Sequence, residues 1–228
     1  MKPKPKRRPA QEADTPRRDS RPPGKRTANK DRTRKAILEA ALDLFSRQGF
    51  YATTTKQISR KAGIAEGTLF NYFRTKEDLA LYFLEREVDA LISWFGHDNR
   101  LQGAPLPEQL FAVIHRLFER IEPYQEFIGA ISLRGLHPGS KLSPFSIERG
   151  QINLRYLRFL REILEASEAR SEIPRVGEIG AYAIALFHVA MVAHWLNDES
   201  PGKEKTLAVL DRCLKLGTTM LKKGGWDW

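Results

Sequence analysis

The sequence predicts an all-α protein of about nine helices, and three observations predict this class. From Asp31 onward, apolar residues recur at the three- and four-residue spacing of amphipathic helices. No alternating stretch is long enough to propose a strand. Capping residues, glycines and prolines separate the helical segments at the intervals expected of short loops.

Length and composition indicate a soluble intracellular protein. With 228 residues and 41% apolar residues the chain can bury a sizeable core, and its single cysteine, Cys213, argues against a disulfide framework or a cysteine-based zinc site. The basic start lacks the apolar stretch of a signal peptide, so we expect a cytoplasmic protein. The longest apolar run, Ala181 to Leu196, is shorter than the roughly 18 residues of a membrane span, which predicts a buried helix and no membrane partner.

The net charge of +10 is concentrated near the N-terminus. Residues 1–30 hold 11 basic and 3 acidic side chains, residues 31–80 hold 9 and 6, and residues 81–228 hold 18 and 19. This asymmetry indicates a polyanion partner. Residues 1–30 also contain 6 of the 13 prolines and no Val, Ile, Leu or Phe, which predicts a disordered basic arm.

The N-terminal helices are marked by local signals. The first predicted helix begins at Asp31 and stops at Gly49. The second spans Thr54–Ala62, with Thr54 and Gln57 in a capping box and Gly63 as its stop. A third follows over about Glu66–Phe73, and a further capping box, Thr75 with Asp78, opens a longer helix.

The C-terminal segments keep the helical period to the end of the chain. The predicted helices are Leu110–Ile121, Tyr124–Gly135, about Phe145–Ala169, an unusually apolar helix from near Pro174 to Asn197, and a last helix after Ser200-Pro201 through Leu221.

Thr54–Ala62 and Glu66–Phe73 have the proportions of a helix-turn-helix, with the first helix as its support. From spacing alone, two short core helices are an equally good interpretation. The residues themselves are more specific: the stretch TTKQISRKAGIAEGTLFNYF from Thr54 to Phe73, followed by Lys76, Glu77 and Leu79, closely resembles the TetR family of bacterial transcriptional regulators. The resemblance covers about residues 31–91.

This resemblance implies a DNA-binding domain over residues 31–91 and an effector-binding and dimerisation domain over residues 92–228. In the second domain only the architecture and the run Trp195-Leu196-Asn197-Asp198 are suggestive. The partners implied are a double-stranded DNA operator, a second copy of the chain and a small molecule.

The resemblance also implies roles for individual residues. Thr54, Thr68, Tyr72 and Lys76 match positions that hold DNA phosphates, although Tyr72 also suits core packing. Glu66 either accepts from a cytosine amino group or stabilises the helix N-terminus, which lacks a capping side chain at Ala65. The positions expected to face base edges are Ala65, Glu66, Gly67, Phe70 and Asn71. Arg32 and Arg34, with Lys25, Arg26 and Lys30 before them, are candidates for neighbouring phosphates or the minor groove, unless this charge run is only a solvated tail.

The helix Gly177–Leu196 is apolar nearly all round, so it must be buried on more than one side. It resembles the dimer-forming helix of the family, although a core helix of a monomer would show the same pattern. The candidate interface residues are Gly177, Ala181, Ala185, His188, Leu210 and Leu214.

Aromatic residues on the middle helices predict an apolar pocket, although each alone is more often part of a core. The candidate lining is Trp94, Phe111, Phe118, Phe127, Tyr156, Phe159 and Tyr182. Such a lining implies a largely hydrophobic effector.

The sequence thus favours a homodimeric, ligand-responsive repressor that binds a near-palindromic operator. The rival interpretations are an architectural DNA-binding protein without an effector and an all-helical enzyme. No convincing nucleophile elbow, phosphate loop or metal spacing argues for the enzyme, so we expect no catalytic residues, metal or cofactor. His188 and His194 are six residues apart, on different faces of a helix, which indicates packing rather than ligation.

Overall fold

The computed structural model describes residues 25–137, 139–143, 146–169 and 176–223. The described chain is all-α, as predicted. Its helices are α1 (Lys25–Gln48), α2 (Thr55–Lys61), α3 (Glu66–Phe70), α4 (Lys76–Gly96), α5 (Asn99–Gly103), α6 (Leu106–Ile121), α7 (Gln125–Gly135), α8 (Ile147–Ala169), α9 (Gly177–Leu196) and α10 (Glu204–Lys223), with 3-10 turns at Glu122–Tyr124 and Pro201–Lys203. The helix that the sequence did not predict is α5, which Asp98 caps by accepting hydrogen bonds from the backbone of Arg100 and Leu101.

Helix α1 begins six residues before the predicted start at Asp31. Residues 25–30, which we had assigned to the disordered arm, are therefore helical, and residues 1–24 lie outside the described part of the chain. The prediction relied on apolar periodicity, which the stretch KRTANK lacks. A helix can extend past its buried face where no proline or glycine interrupts it, and here Asn29 accepts hydrogen bonds from Arg32 and Thr33 of the next turn.

The head of the molecule consists of α1, α2, α3 and the start of α4. Its core is formed by side chains with almost no exposed surface, including Ile37, Phe45, Ile58 and Leu69. Gly49 ends α1 with a backbone φ of +82°, a left-handed conformation that glycine adopts without steric cost. This confirms the predicted stop and turns the chain toward α2.

Helix α4 connects the head to the rest of the molecule. Thr75 and Asp78 form the predicted capping box at its start. Its 21 residues span about 31 Å, and Phe95 near its end packs on Phe159 of α8. The domain boundary that we placed at residue 91 therefore falls inside a continuous helix, and it stays a prediction.

The C-terminal helices form a layered bundle in which α9 packs chiefly on α8, and α10 on α6. Trp195 at the end of α9 stacks on Phe118 of α6, with ring centroids 5.5 Å apart. Asp198 joins α9 to α10 because its carboxylate accepts from the backbone nitrogen of Thr206 (2.8 Å) and from the Thr206 hydroxyl (2.6 Å). The run from Trp195 to Asp198 thus holds the two helices together.

Helix α9 is only partly buried within the single chain, so its burial on more than one side stays a prediction that requires a second chain. By length and composition it could cross a membrane, and 22% of its most apolar window is buried in the described chain. One side packs on neighbouring helices, and the other side carries exposed Ile179, Leu186 and Val189. The sequence could not separate the two sides because both are apolar.

Candidate nucleic-acid interface

A capping box fixes the start of α2, as predicted. The Thr54 hydroxyl accepts a hydrogen bond from the backbone nitrogen of Gln57 (3.2 Å), and the Gln57 side-chain oxygen accepts one from the backbone nitrogen of Thr54 (2.8 Å). Such a cap stabilises a helix by about 1 kcal/mol. Because both groups are engaged within the protein, the approach of Thr54 to a phosphate stays a prediction.

A tight turn sets α3 against α2. Gly63 adopts a φ of +68° in this turn, and Ala65 begins α3 without a side-chain cap. Glu66 accepts a hydrogen bond from the Thr55 hydroxyl (2.8 Å), which joins the first turns of the two helices. Glu66 is thus engaged within the protein, and its two predicted roles, the cytosine contact and the stabilisation of the helix N-terminus, stay predictions.

The outer face of α3 and the residues that follow it are open to solvent. Ala65, Gly67 and Asn71 are exposed, Phe70 is 45% exposed, and no atom lies within 4 Å of the position that a Gly67 Cβ would occupy. On the opposite face Leu69 is fully buried. The buried side anchors α3, so the exposed side is free to approach another molecule.

Partly buried and charged residues border this face. Thr68 and Tyr72 are half-buried, while Lys56, Arg60 and Arg74 are exposed. Our sequence reasoning did not select these three basic residues. Their signal was available, because Lys56 and Arg60 stand at polar positions of α2, opposite buried Ile58. They extend the positive potential around α3, which favours a polyanion.

Arg32 and Arg34, both predicted to contact DNA, have different surroundings in the structure. Arg32 is exposed and donates to the Asn29 side chain (2.6 Å), so it remains available at the surface. The Arg34 guanidinium lies over the rings of Tyr82 (5.3 Å) and Phe73 (6.0 Å), where cation–π attraction holds α1 to α4. We therefore correct Arg34 from a phosphate contact to a packing residue.

Lys76 is also engaged within the protein, contrary to the predicted phosphate contact. Its ammonium group donates to the backbone oxygens of Phe50 (2.7 Å), Thr53 (2.8 Å) and Tyr51 (3.2 Å), and it lies 4.9 Å from the centre of the Phe50 ring. Burial lowers the pKa of Lys76. The side chain thus holds the loop between α1 and α2 to the start of α4, a contact between residues too distant in sequence for a local pattern to reveal.

We expect Lys76→Met to destabilise the protein by about 2 kcal/mol, because charge-assisted hydrogen bonds contribute about 1.5–3 kcal/mol and methionine retains only the apolar stem. Chemical denaturation measures the change. The exposed Lys56→Met is the matched control and should change stability by less than about 0.5 kcal/mol. If Lys76→Met instead leaves stability unchanged and reduces the slope of log DNA affinity against log salt concentration by about 1, Lys76 contacts a phosphate as first predicted.

The predicted pocket residues do not line one cavity in the described structure. Phe127 is buried between head and bundle, stacked on Phe45 (4.9 Å) and edge-on to Phe83 (5.4 Å). Phe118 stacks on Trp195. Tyr182 is 53% exposed on the outer side of α9. These three are corrected to packing or surface positions.

The remaining four predicted pocket residues occupy two regions. Trp94 lies under the Arg116 guanidinium, beside a surface depression of about 470 Å³, and Phe111 stacks on His115 of the same helix. Tyr156 and Phe159 of α8 adjoin each other, and Tyr156 contacts His188 of α9. Only this second group brings predicted residues together in the interior.

Most of the predicted dimer-interface residues pack inside the single chain. Four of them are buried inside the single chain: Ala181, His188, Leu210 and Leu214. Ala185 is half-buried, and Gly177 alone is exposed. Within the described chain, α9 packs mainly on α8.

The exposed apolar residues of α9 and α10 form a different surface, which we call the outer face. Its members are Ile179 (83% exposed), Tyr182 (53%), Leu186 (70%), Val189 (56%), Leu216 (60%) and Met220 (63%). Helices α9 and α10 pack against each other, so these side chains belong to adjoining helices. Large apolar surfaces of this kind commonly mark protein interfaces.

Comparison with known families gives two matches that together cover most of the described chain. Residues 37–83 match the family described as bacterial regulatory proteins, tetR family. Residues 109–227 match the tetracyclin repressor-like C-terminal domain. The first match contains α2 and α3, and the second contains the outer face.

Individual relatives show the same pattern. The chain is 30% identical to the HTH-type transcriptional repressor NicS of Pseudomonas putida over 156 residues, which are 66% of this chain and 70% of NicS. It is 42% identical to the HTH-type transcriptional regulator RutR of Escherichia coli over 66 residues, 29% of this chain and 31% of RutR.

Solved structures share the fold. A TetR-family regulator from Syntrophomonas wolfei has a TM-score of 0.62 at 21% identity, covering 83% of this chain and 96% of that one. The regulator FadR from Bacillus subtilis, solved with stearoyl-CoA, has a TM-score of 0.61 at 21% identity, covering 83% and 98%.

Proposed function

The chain belongs to the TetR family of bacterial regulatory proteins, and from that membership we propose that it is a cytoplasmic, homodimeric repressor whose α3 reads a near-palindromic DNA operator. The observation that carries the proposal is the exposed side of α3, anchored by buried Leu69 and bordered by basic residues of α2. A recognition helix requires this arrangement of a buried anchor and an accessible surface. Residues 31–91 are the proposed DNA-binding domain.

The proposal is tested by selecting fragments of genomic DNA with the full chain and sequencing those retained. We expect enrichment of an inverted repeat whose half-sites are one or more helical turns apart. Deleting the gene that encodes this protein should raise expression of a reporter placed under the control of that site. Uniform retention of all fragments would instead favour the architectural rival.

Two neighbouring residues should have separable effects on DNA binding. Asn71→Ala is expected to cost about 1–3 kcal/mol on the best site and to relax preference at one base position, because an amide reads base edges. Tyr72→Phe removes a hydroxyl that we assign to a phosphate, so it should weaken all sequences alike by a smaller factor. Binding to randomised operator libraries measures both changes, and equal loss of base preference in the two variants would contradict the assignment.

For the C-terminal domain, proposed as residues 92–228, we infer dimerisation through the outer face and the binding of a hydrophobic effector. Contact with a second chain through the outer face would bury the exposed apolar side of α9, which its all-round apolar sequence predicts. FadR of Bacillus subtilis was solved with stearoyl-CoA, which supports a small-molecule effector for this chain without identifying it.

Several contacts support a path from effector to DNA. Asp78 at the start of α4 accepts from Lys141 (2.7 Å), and Glu77 pairs with Arg134 (3.5 Å). Burial alone would raise the pKa of Asp78, but the hydrogen bond and charge of Lys141 and the hydrogen bonds from Thr75 lower it. A shift of the bundle would therefore act on the first turn of α4, next to α3.

A further inference from the structure

A polar pair, half-buried Tyr156 of α8 and buried His188 of α9, lies between these two helices. The Tyr156 hydroxyl is hydrogen-bonded to Nδ1 of His188, and the His188 side chain is almost entirely buried. The other ring nitrogen, Nε2, is also buried and has no hydrogen-bond partner within the described chain. Buried polar atoms are rarely left without a partner, so this nitrogen requires an explanation.

The hydrogen bond determines which ring nitrogen carries the proton. If the Tyr156 hydroxyl donates to Nδ1, then Nε2 carries the hydrogen and one donor lacks an acceptor. If Nδ1 donates instead, both the tyrosine hydroxyl and a bare Nε2 lack partners. The first arrangement leaves fewer unsatisfied groups, so His188 presents an N–H at Nε2 that requires an acceptor from outside.

The apolar contacts of Tyr156 and the neutral state of the pair favour an uncharged acceptor. Tyr156 adjoins Phe159, whose ring packs edge-on against Phe95 of α4 (5.3 Å). Burial lowers the pKa of His188 to about 4 and raises the pKa of Tyr156, so both groups are neutral at physiological pH. An ionic ligand in such a site would lose its hydration without meeting an opposite charge on the pair.

We propose that the effector of this regulator is an uncharged, mainly apolar molecule with a carbonyl-type oxygen, which accepts a hydrogen bond from Nε2 of His188 between α8 and α9. The inference rests on the proposed function and names the anchor and the chemical class of the ligand. Tyr156 is a positioning residue, since it fixes the tautomer of His188.

The position of the pair connects the site to α4. Arg155, next to Tyr156, donates to Glu85 of α4 (2.8 Å) and lies 3.1 Å from Asp89. A molecule inserted between α8 and α9 displaces α8 at this point, and the displacement reaches α4 through Arg155 and through the contact of Phe159 with Phe95. Ligand binding is thereby coupled to the orientation of the head.

The experiment uses the full-length protein and matched probe pairs that differ only in the carbonyl group. The pairs are 4-phenyl-2-butanone with butylbenzene and 2-undecanone with undecane, and 4-phenylbutanoate is the charged comparison. Calorimetry and thermal unfolding measure binding, and nitrogen-15 NMR of His188 reports the Nε2–H directly. We expect at least one ketone to bind about tenfold more tightly than its hydrocarbon, to shift the Nε2–H resonance and to release DNA.

Three variants locate the preference. His188→Phe retains a ring but removes the donor, so the preference for the ketone should disappear. Tyr156→Phe frees His188 to change tautomer and should reduce the preference without abolishing it. His115→Phe makes the same exchange on α6 and should leave the preference as in the wild type.

The proposal is overturned if no ketone binds better than its hydrocarbon, if the phenylbutanoate binds best, or if the preference survives in His188→Phe. The proposal is also overturned if the Nε2–H exchanges with solvent and its resonance does not shift with any ketone. A trapped water would then be the acceptor. Operator binding by the compound-free wild type is measured separately. If that binding fails, the proposed function falls, while calorimetry still decides the ligand class.

Discussion

If the proposed homodimer forms through the outer face, Leu186→Glu is expected to convert it into a monomer and to lower its affinity for the operator at least a hundredfold. Leu186 is 70% exposed on the outer face of α9. In a two-fold dimer every substitution occurs twice, so two leucine contacts are lost, each about 1.5–3 kcal/mol, and two carboxylates are placed in an apolar interface. The operator affinity falls because each monomer then holds a single half-site.

Sedimentation at micromolar concentration and operator titration measure these two effects. Leu133→Glu is the matched control, since Leu133 is also exposed (64%) but lies on α7, away from the outer face. The control should stay dimeric and bind the operator as the wild type does. A dimeric Leu186→Glu would show that the outer face is not the interface, and a monomeric control would show that both substitutions disturb the fold.

The second large effect is a loss of stability in acid that depends on His188. Burial lowers the pKa of this side chain to about 4, whereas it is near 6.5 in an unfolded chain. Between about pH 4 and pH 6.5, His188 is therefore protonated in the unfolded chain but neutral in the folded chain. The stability contributed by neutral His188 is therefore complete above about pH 6.5 and is lost as the pH falls toward 4, by about 3 kcal/mol.

Denaturant unfolding at pH 7.5, 5.5 and 4.5, at one protein concentration, measures this dependence. His188→Phe should be less stable at pH 7.5 but should lose less stability on acidification than the wild type. His115→Phe controls for removal of a histidine elsewhere and should follow the wild type. Parallel curves for all three proteins would contradict the buried, neutral state of His188.

Local signals predicted the head well. Thr54 with Gln57, Thr75 with Asp78, and the stop at Gly49 depend on neighbours within a few residues, so the sequence contains all of their determinants. The start of α1 was missed because its first turns have no apolar period. The position of α3 and its exposed side followed from the motif.

Long-range contacts were beyond sequence reasoning. The partners of Lys76 lie 23 to 26 residues away and are backbone oxygens, which no residue pattern specifies. Helix α9 is apolar on both sides, so the sequence could not show that Ala181 is buried within the single chain while Ala185 is only half-buried. The hydrogen bond between Tyr156 and His188 joins α8 to α9. The sequence showed these residues only as two separate side chains.

Asp78 has a consequence for anyone who exchanges parts between regulators of this kind. Its carboxylate belongs to the first turn of α4 through Thr75 and to the bundle through Lys141. A chimaera joined within α4, after Asp78, would take Asp78 from one parent and the lysine at position 141 from the other. The ion pair between the start of α4 and the bundle would then join residues from two different proteins. The junction belongs between Phe73 and Thr75, before α4, so that new helices α1 to α3 are inherited without separating Asp78 from Thr75 or from Lys141.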